Sequence, residues 1–244
     1  MKKFVQACVL LCLLAGPVAA GEFVGTLKFV DEPRCRAKEK CMLSEKFSFV
    51  EPGYEWVAPK DSVTDGASIP KRFRDWIGQP FDDDLVKAAV IHDHYCLRRV
   101  RSWRHTHRAF YDALLSAGVA KRRAHLMYGA VLLGGPKWII VEKGVPCNPS
   151  IAGNDCVLST TAGVLALPGV AGLNADGKRL SVREARYGDD VFMQELDALE
   201  AQIDQAAEGE DAAAIEALAA KIRPDDEFYE LPSTVVQYST GVDQ

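Results

Sequence analysis

An adjacent histidine and aspartate, His92 and Asp93, lie within residues 85–97, LVKAAVIHDHYCL. Read as a helix, this run sets His92 beside Leu85, Ala88, Ala89, Tyr95 and Cys96. Asp93 falls beside Val86, Ala89, Val90 and Leu97. A carboxylate turned toward a core is costly unless it is paired, hydrogen-bonded or metal-bound. Asp93 therefore requires a compensating partner, and chemistry is expected where that partner is found.

All 5 histidines fall between positions 92 and 125. His94 shares a face with Lys87 and Arg98 and is expected to point into water. His105 lies beside Arg101, Arg108 and Asp112, again a polar face. His107 differs, because its neighbours one turn away are Trp103, Phe110, Tyr111 and Leu114. His92, Asp93 and His107 are thus the candidates for an interior site. The competing reading of the same residues is a buried polar knot without catalysis.

The elements that must position them follow from pattern and punctuation. A helix is expected from about Asp84 to Arg98. A second is capped by Ser102 and ends near Gly118, and a third runs from about Lys121 to Leu133, stopped by Gly134, Gly135 and Pro136. The short link between the first two predicts an antiparallel hairpin. His92 would lie roughly 9–10 Å from the end of the first helix and His107 roughly 7 Å into the second, at similar height. Upstream, residues 21–59 carry short apolar–polar alternations broken by Pro33 and by Pro52-Gly53, a small antiparallel β element. Thr64-Asp65-Gly66-Ala67-Ser68-Ile69-Pro70 reads as a tight loop.

The fold class expected is α+β: the N-terminal β element, the helical hairpin, the third helix, and an acidic helical C-terminal extension. The divisions are 1–20 signal peptide, 21–143 core domain, 144–188 Gly-rich connecting region with weak strand patterns around Cys156–Leu167, 189–223 acidic helical segment split at Gly209, and 224–244 an extended or loosely ordered tail. The later third displays no constellation suited to chemistry.

Met1-Lys2-Lys3, the apolar run Phe4–Leu14 and the small residues to Ala20 form a secretory signal pattern. Export to the periplasm or the exterior is expected, with no transmembrane segment after cleavage. Losing Lys2 and Lys3 takes the formal charge from −5 to −7, against general nucleic-acid binding. Residues 71–123 nevertheless carry 12 Lys/Arg against 6 Asp/Glu, which suits an anionic lipid or envelope component as partner. Oligomeric state is left open. In an oxidising compartment Cys35–Cys41 and Cys147–Cys156 are the expected local bridges, leaving Cys96 as a buried thiol.

The Thr64–Pro70 loop and the His92-Asp93 helix together resemble an uncharacterised family of phage and bacterial proteins, over about Val57 to Gly134. The layout also resembles the small secreted bacterial phospholipases A2. The corresponding stretches are Asp65-Gly66-Ala67-Ser68, Pro80-Phe81, Ala89 to Asp93, and His107 to Tyr111. Ala67 and Ala89 stand where those enzymes have a bridging cysteine pair, His107 where they have a second carboxylate, and Cys96 where they favour tyrosine. The resemblance implies a metal-dependent ester hydrolase. Asp65, Gly66 (through its backbone) and Asp93 would hold Ca²⁺, His92 would act as general base, and His107 would orient it. Zn²⁺ on His92, Asp93, His107 and Asp65 is the alternative.

Overall fold

The computed structural model describes residues 21–32, 34–71, 74–143, 170–205, 211–231 and 236–238. The expected signal peptide, the Cys147–Cys156 bridge and the strand pattern around 156–167 lie outside the described residues. In chain order the N-terminal part contains β1 (Glu22–Val24), α1 (Arg34–Ala37), β2 (Cys41–Met42), β3 (Phe47–Glu51), β4 (Tyr54–Ala58) and β5 (Val63–Thr64). β1, β3 and β4 make an antiparallel sheet in the order β1-β3-β4. Its register opposes Phe47 to Ala58 and Phe49 to Trp56, and all four are buried. Such facing apolar pairs are what stabilise a small sheet.

β2 pairs with β5, Cys41 opposite Thr64 and Met42 opposite Val63. The Cys35–Cys41 disulfide ties the same strand to α1. A short ladder that could not stand alone is thereby fixed, and it delivers Thr64 to the start of the loop.

Next come α2 (Arg74–Ile77), α3 (Asp83–Arg98), α4 (Trp103–Ser116) and α5 (Lys121–Gly134). The expected helix bounds agree to within a residue or two. Ser102 does cap α4, accepting the N–H of His105. Arg99 turns the chain out of α3 with φ 56°. Arg101 fastens the link. Its guanidinium lies 4.2 Å from the Trp56 ring centre and donates to the Glu55 carbonyl, while its own carbonyl accepts from Trp138.

The remainder consists of β6 (Lys137–Lys143), β7 (Val170–Leu173), β8 (Arg179–Arg183), α6 (Asp190–Gln205), α7 (Ala212–Ile222), α8 (Glu227–Glu230) and β9 (Val236–Tyr238). Four strands form a second sheet, ordered β7-β8-β6-β9. α6 buries Phe192, Leu196, Leu199 and Ile203, the stripe expected of a surface helix. No described helix is long and apolar enough to cross a membrane.

Among the described residues after Arg223, where an extended or loosely ordered tail is expected, Glu227–Glu230 form α8. Its anchor is Asp226, a side chain with no exposure that receives Lys137 Nζ and Arg183 Nη1, each at 2.7 Å. Asp226 also caps α8 through the N–H of Phe228. β9 then lies parallel to β6. The pattern of an isolated acidic tail does not reveal this, because the partners are more than 40 residues upstream in sequence. A buried ion pair holds position more than it adds stability.

Burial pulls the Lys137 ammonium down to about 8 from its ordinary 10.5, against the upward pull of Asp226. Between those two values the unfolded chain binds more protons at this site than the folded one. The Lys137 contribution to stability therefore rises as pH climbs through that window, by at most roughly 3 kcal/mol. In urea unfolding, wild type is expected to gain on Lys137→Met from pH 8 to 10.5. Stability curves that stay parallel across that range would refute the assignment.

Candidate functional site

The partner that Asp93 requires is Thr64. The Thr64 hydroxyl donates to Asp93 Oδ2 at 2.5 Å and accepts the Gly66 N–H at 3.0 Å. The Asp65 N–H donates to the same carboxylate. Thr64 thus closes a local turn and pins it to α3. Gly66 is obligatory here, with φ 78° and a Cβ that would stand 2.5 Å from the Pro80 carbonyl oxygen. Ala67 donates to that carbonyl, so the loop is held on both sides. Sequence reasoning missed Thr64. The available signal was a threonine two residues before the loop glycine.

His92, on the neighbouring position of α3, turns its ring edge toward α4. His92 Nε2 and His107 Nδ1 are 2.9 Å apart, and His107 Nε2 lies 3.1 Å from the Pro136 carbonyl oxygen. A carbonyl only accepts, so His107 carries its proton on Nε2 and offers Nδ1 as an acceptor. His92 therefore donates from Nε2 and keeps its lone pair on Nδ1. That nitrogen is 4.0 Å from Asp93 Oδ1. The pair is enclosed by Phe110, whose ring centre lies 4.7 Å from that of His92 at a 34° tilt, and by Trp103 and Trp138 around His107. The expected meeting of His92 and His107 across the hairpin is thus observed.

The electrostatics follow from this enclosure. Burial pushes His92 down to about 3 and His107 well below its ordinary value, so both rings are neutral. Burial pushes the Asp93 carboxyl up to about 8, and the Asp65 charge adds to the effect, while Thr64 and the Asp65 N–H oppose it. The Cys96 thiol is pushed up by burial and by Asp93, and its sulfur lies 3.4 Å from His92 Nε2.

His92 and Asp93 line two adjoining spaces. One is a cleft of about 470 Å³ bordered also by Thr64, Asp65, Ser68, Cys96 and Tyr187. The other is a mostly apolar cavity of about 40 Å³ between the loop and α3–α5, bordered by Ala67, Ala89, Phe110, Val131 and Leu196. Tyr187 borders both and was not anticipated, since the later third displayed no reactive pattern. A Cβ at Gly135 would stand 3.0 Å from the Tyr187 hydroxyl and 3.1 Å from His107 Nε2, which places the phenol at the back of the histidine pair. Burial, with Cys96, Asp93 and Asp65 nearby, pushes the phenol well up, leaving it a neutral donor.

Asp65 itself is exposed at the cleft wall. Asp65 and Asp93 both border the cleft and the Asp65 charge is felt at Asp93, but among the described residues the two do not join His92 in a cluster of metal-ligating atoms; Gly66 faces its N–H to Thr64. His107 and Asp93 lie on opposite edges of the His92 ring and do not converge on one ion. His92, Cys96 and His107 do converge, with ligand atoms within 4.8 Å of one another. Of the remaining histidines, His94 bonds Ser62 at 3.0 Å, contrary to the solvent position expected, and His105 stands 3.4 Å from Glu51.

Residues 41–131 match the family described as a protein of unknown function, DUF1353. An uncharacterized protein of Sinorhizobium fredii (strain NBRC 101917 / NGR234), y4iH, is 36% identical over 186 residues, covering 72% of this chain and 76% of that protein. A second uncharacterized protein of the same strain, y4jT, is 37% identical over 167 residues, covering 64% of this chain and 48% of the relative. The chain belongs to this DUF1353 family. It spans about half the length of y4jT. No solved structure matches.

Asp93→Ala removes the acceptor of two loop donors and is expected to cost roughly 1–3 kcal/mol. It should also open residues 64–70 to proteolysis. Asp93→Asn, which keeps an acceptor oxygen, should cost less. Equal losses for the two variants in chemical denaturation would show that the loop is not pinned this way.

Proposed function

We propose that this protein is an exported hydrolase of carboxylic esters with an apolar acyl part, phospholipids or other envelope lipids being the substrate class, with His92 as general base. The observation that carries the reading is the chain Pro136 carbonyl, His107, His92. It leaves a lone pair on His92 Nδ1 beside Asp93, where an open cleft carrying Thr64, Asp65 and Ser68 on its wall meets a small apolar cavity. A carboxylic ester of a lipid joins a polar reacting centre to an apolar tail, which suits a few polar groups gathered on otherwise apolar walls.

In this reading His92 Nδ1 takes a proton from a water as its oxygen bonds to the ester carbonyl carbon. The Nε2–H bond to His107 holds the ring in place, and the Asp93 carboxylate stands beside the imidazolium that forms. On collapse, the alkoxide leaving group recovers the proton from His92. A calcium ion held by Asp65 and Asp93, its shell completed by water and substrate oxygens, would polarise the carbonyl. His107 differs from a carboxylate in that it orients His92 without stabilising its charge. A neutral orienting group predicts a slow enzyme.

Fatty-acid release from phospholipid vesicles with Ca²⁺ and with chelator tests this. His92→Ala is expected to lose about 10²–10⁴-fold in rate. His107→Asp should retain activity, because it keeps an acceptor for His92 and adds an anion. Release from His92→Ala equal to wild type, or none from folded wild type on any ester, overturns the proposal. The second result would leave the buried His/Asp knot as a structural feature of a binding protein.

A further inference from the structure

His92 and Cys96 are one helical turn apart on α3, and His107 faces them from α4. Two imidazoles and a thiol are a ligand set that selects borderline and soft cations, not the oxygen-seeking ions suited to Asp65 and Asp93. We propose that His92 Nε2, His107 Nδ1 and Cys96 Sγ form a second cation site, for Zn²⁺ or a cation of similar softness, and that its occupation silences His92 as a base.

Two of the three edges of the site are close to the length a metal requires. The nitrogens are 2.9 Å apart, and Sγ is 3.4 Å from His92 Nε2. Tetrahedral zinc with ordinary bond lengths needs about 3.3 Å between nitrogens and about 3.6 Å between nitrogen and sulfur. The required spreading is a few tenths of an ångström on each of these edges. The third edge, from Sγ to His107 Nδ1, is bounded only at 4.8 Å, and binding draws Cys96 inward by up to about 1 Å to close it.

The surroundings are those of a metal site. The Pro136 carbonyl takes the outer N–H of His107 at 3.1 Å and so aims the Nδ1 lone pair inward. Asp93 Oδ1, 4.0 Å from His92 Nδ1, is placed to receive the outer proton of His92 once Nε2 is a ligand. Phe110, Trp103 and Trp138 hold both rings in position. Cys96 and His92 border the 470 Å³ cleft, which gives an entry path and leaves a fourth position to water.

Binding is balanced in protons. The Cys96 thiol loses its proton to solvent as the sulfur–metal bond forms. His92 gives up the proton on Nε2 and carries one on Nδ1. The lone pair that the hydrolase reading requires on Nδ1 is then gone, so zinc binding and general-base action exclude each other. The cation site itself does not rest on that reading, although the inhibition does.

The test is titration of the whole secreted chain, with the Cys35–Cys41 bridge intact and Cys96 reduced, using Co²⁺ followed by Zn²⁺. A single equivalent of Co²⁺ is expected to give a thiolate-to-cobalt charge-transfer band and the intense visible bands of tetrahedral cobalt, both erased by Zn²⁺. Cys96→Ser should remove the charge-transfer band. His107→Gln should weaken binding by about 10–100-fold. Asp65→Asn, at the separate carboxylate pair, should leave the spectrum unchanged. Circular dichroism of each variant identifies any that fail to fold, and Cys96→Ala serves in place of a misfolded Cys96→Ser. No thiolate band from folded wild type, or a band that survives loss of Cys96, overturns the site. A zinc-displaceable band in a protein without esterase activity would uphold the site and fell the hydrolase reading. Full activity with one equivalent of bound Zn²⁺ would overturn the proposed silencing.

Discussion

The Thr64–Asp93 hydrogen bond is the contact on which the site depends. It joins a loop with few backbone partners of its own to α3, and it gives a buried carboxyl, which burial holds up at about 8, a donor that opposes that shift. The constraint propagates in both directions. Upstream, the β2–β5 ladder and the Cys35–Cys41 bridge hold Thr64 in register. Downstream, the packed Asp93 fixes the rotation of α3, and with it the direction in which His92 meets His107. A loop free to leave α3 would take the wall of both the cleft and the small cavity with it.

Desolvation supplies the second constraint. Aromatic rings enclose His92 and His107, and burial keeps both rings neutral at rest. A neutral pair can be joined by a hydrogen bond in either sense. The Pro136 carbonyl chooses between them, because it accepts and never donates. A backbone atom at the entrance to β6 thereby sets the protonation state of a ring on α3. Tautomer selection of this kind is inexpensive in free energy, yet it decides whether a lone pair or an N–H faces Asp93.

The three helices, the Ser102 cap and the convergence of His92 with His107 were legible in the sequence, because helical periodicity and punctuation are local signals. The Cys35–Cys41 bridge was legible for the same reason. Thr64 escaped notice because a hydroxyl facing a carboxylate leaves no periodic trace. His94 was read as solvent-facing from its charged helical neighbours, yet Ser62 reaches it from another element. Asp226 and Tyr187 were illegible in a stronger sense. Their partners, Lys137 and Arg183 for the first and Gly135 and the histidine pair for the second, are brought near only by the second sheet and its connections. Acidic composition and the absence of a motif were accurate observations about that segment, and neither carries information about tertiary placement.

This division bears on what the family match can account for. Residues 41–131 hold the loop, α3, α4 and most of α5, and so supply Thr64, Asp65, His92, Asp93, Cys96 and His107. Pro136 and Tyr187 lie beyond that segment. The matched region therefore brings the reactive groups together, but the tautomer and the back wall come from the strands and turns that follow it. Those strands are held in turn by Asp226, whose two cationic partners sit on β6 and β8. The buried ion cluster adds little net stability by itself, and its Lys137 charge is felt at His107. Its consequence is positional: it fastens the sheet whose leading residue follows Pro136, and thereby the carbonyl that orients the histidine pair.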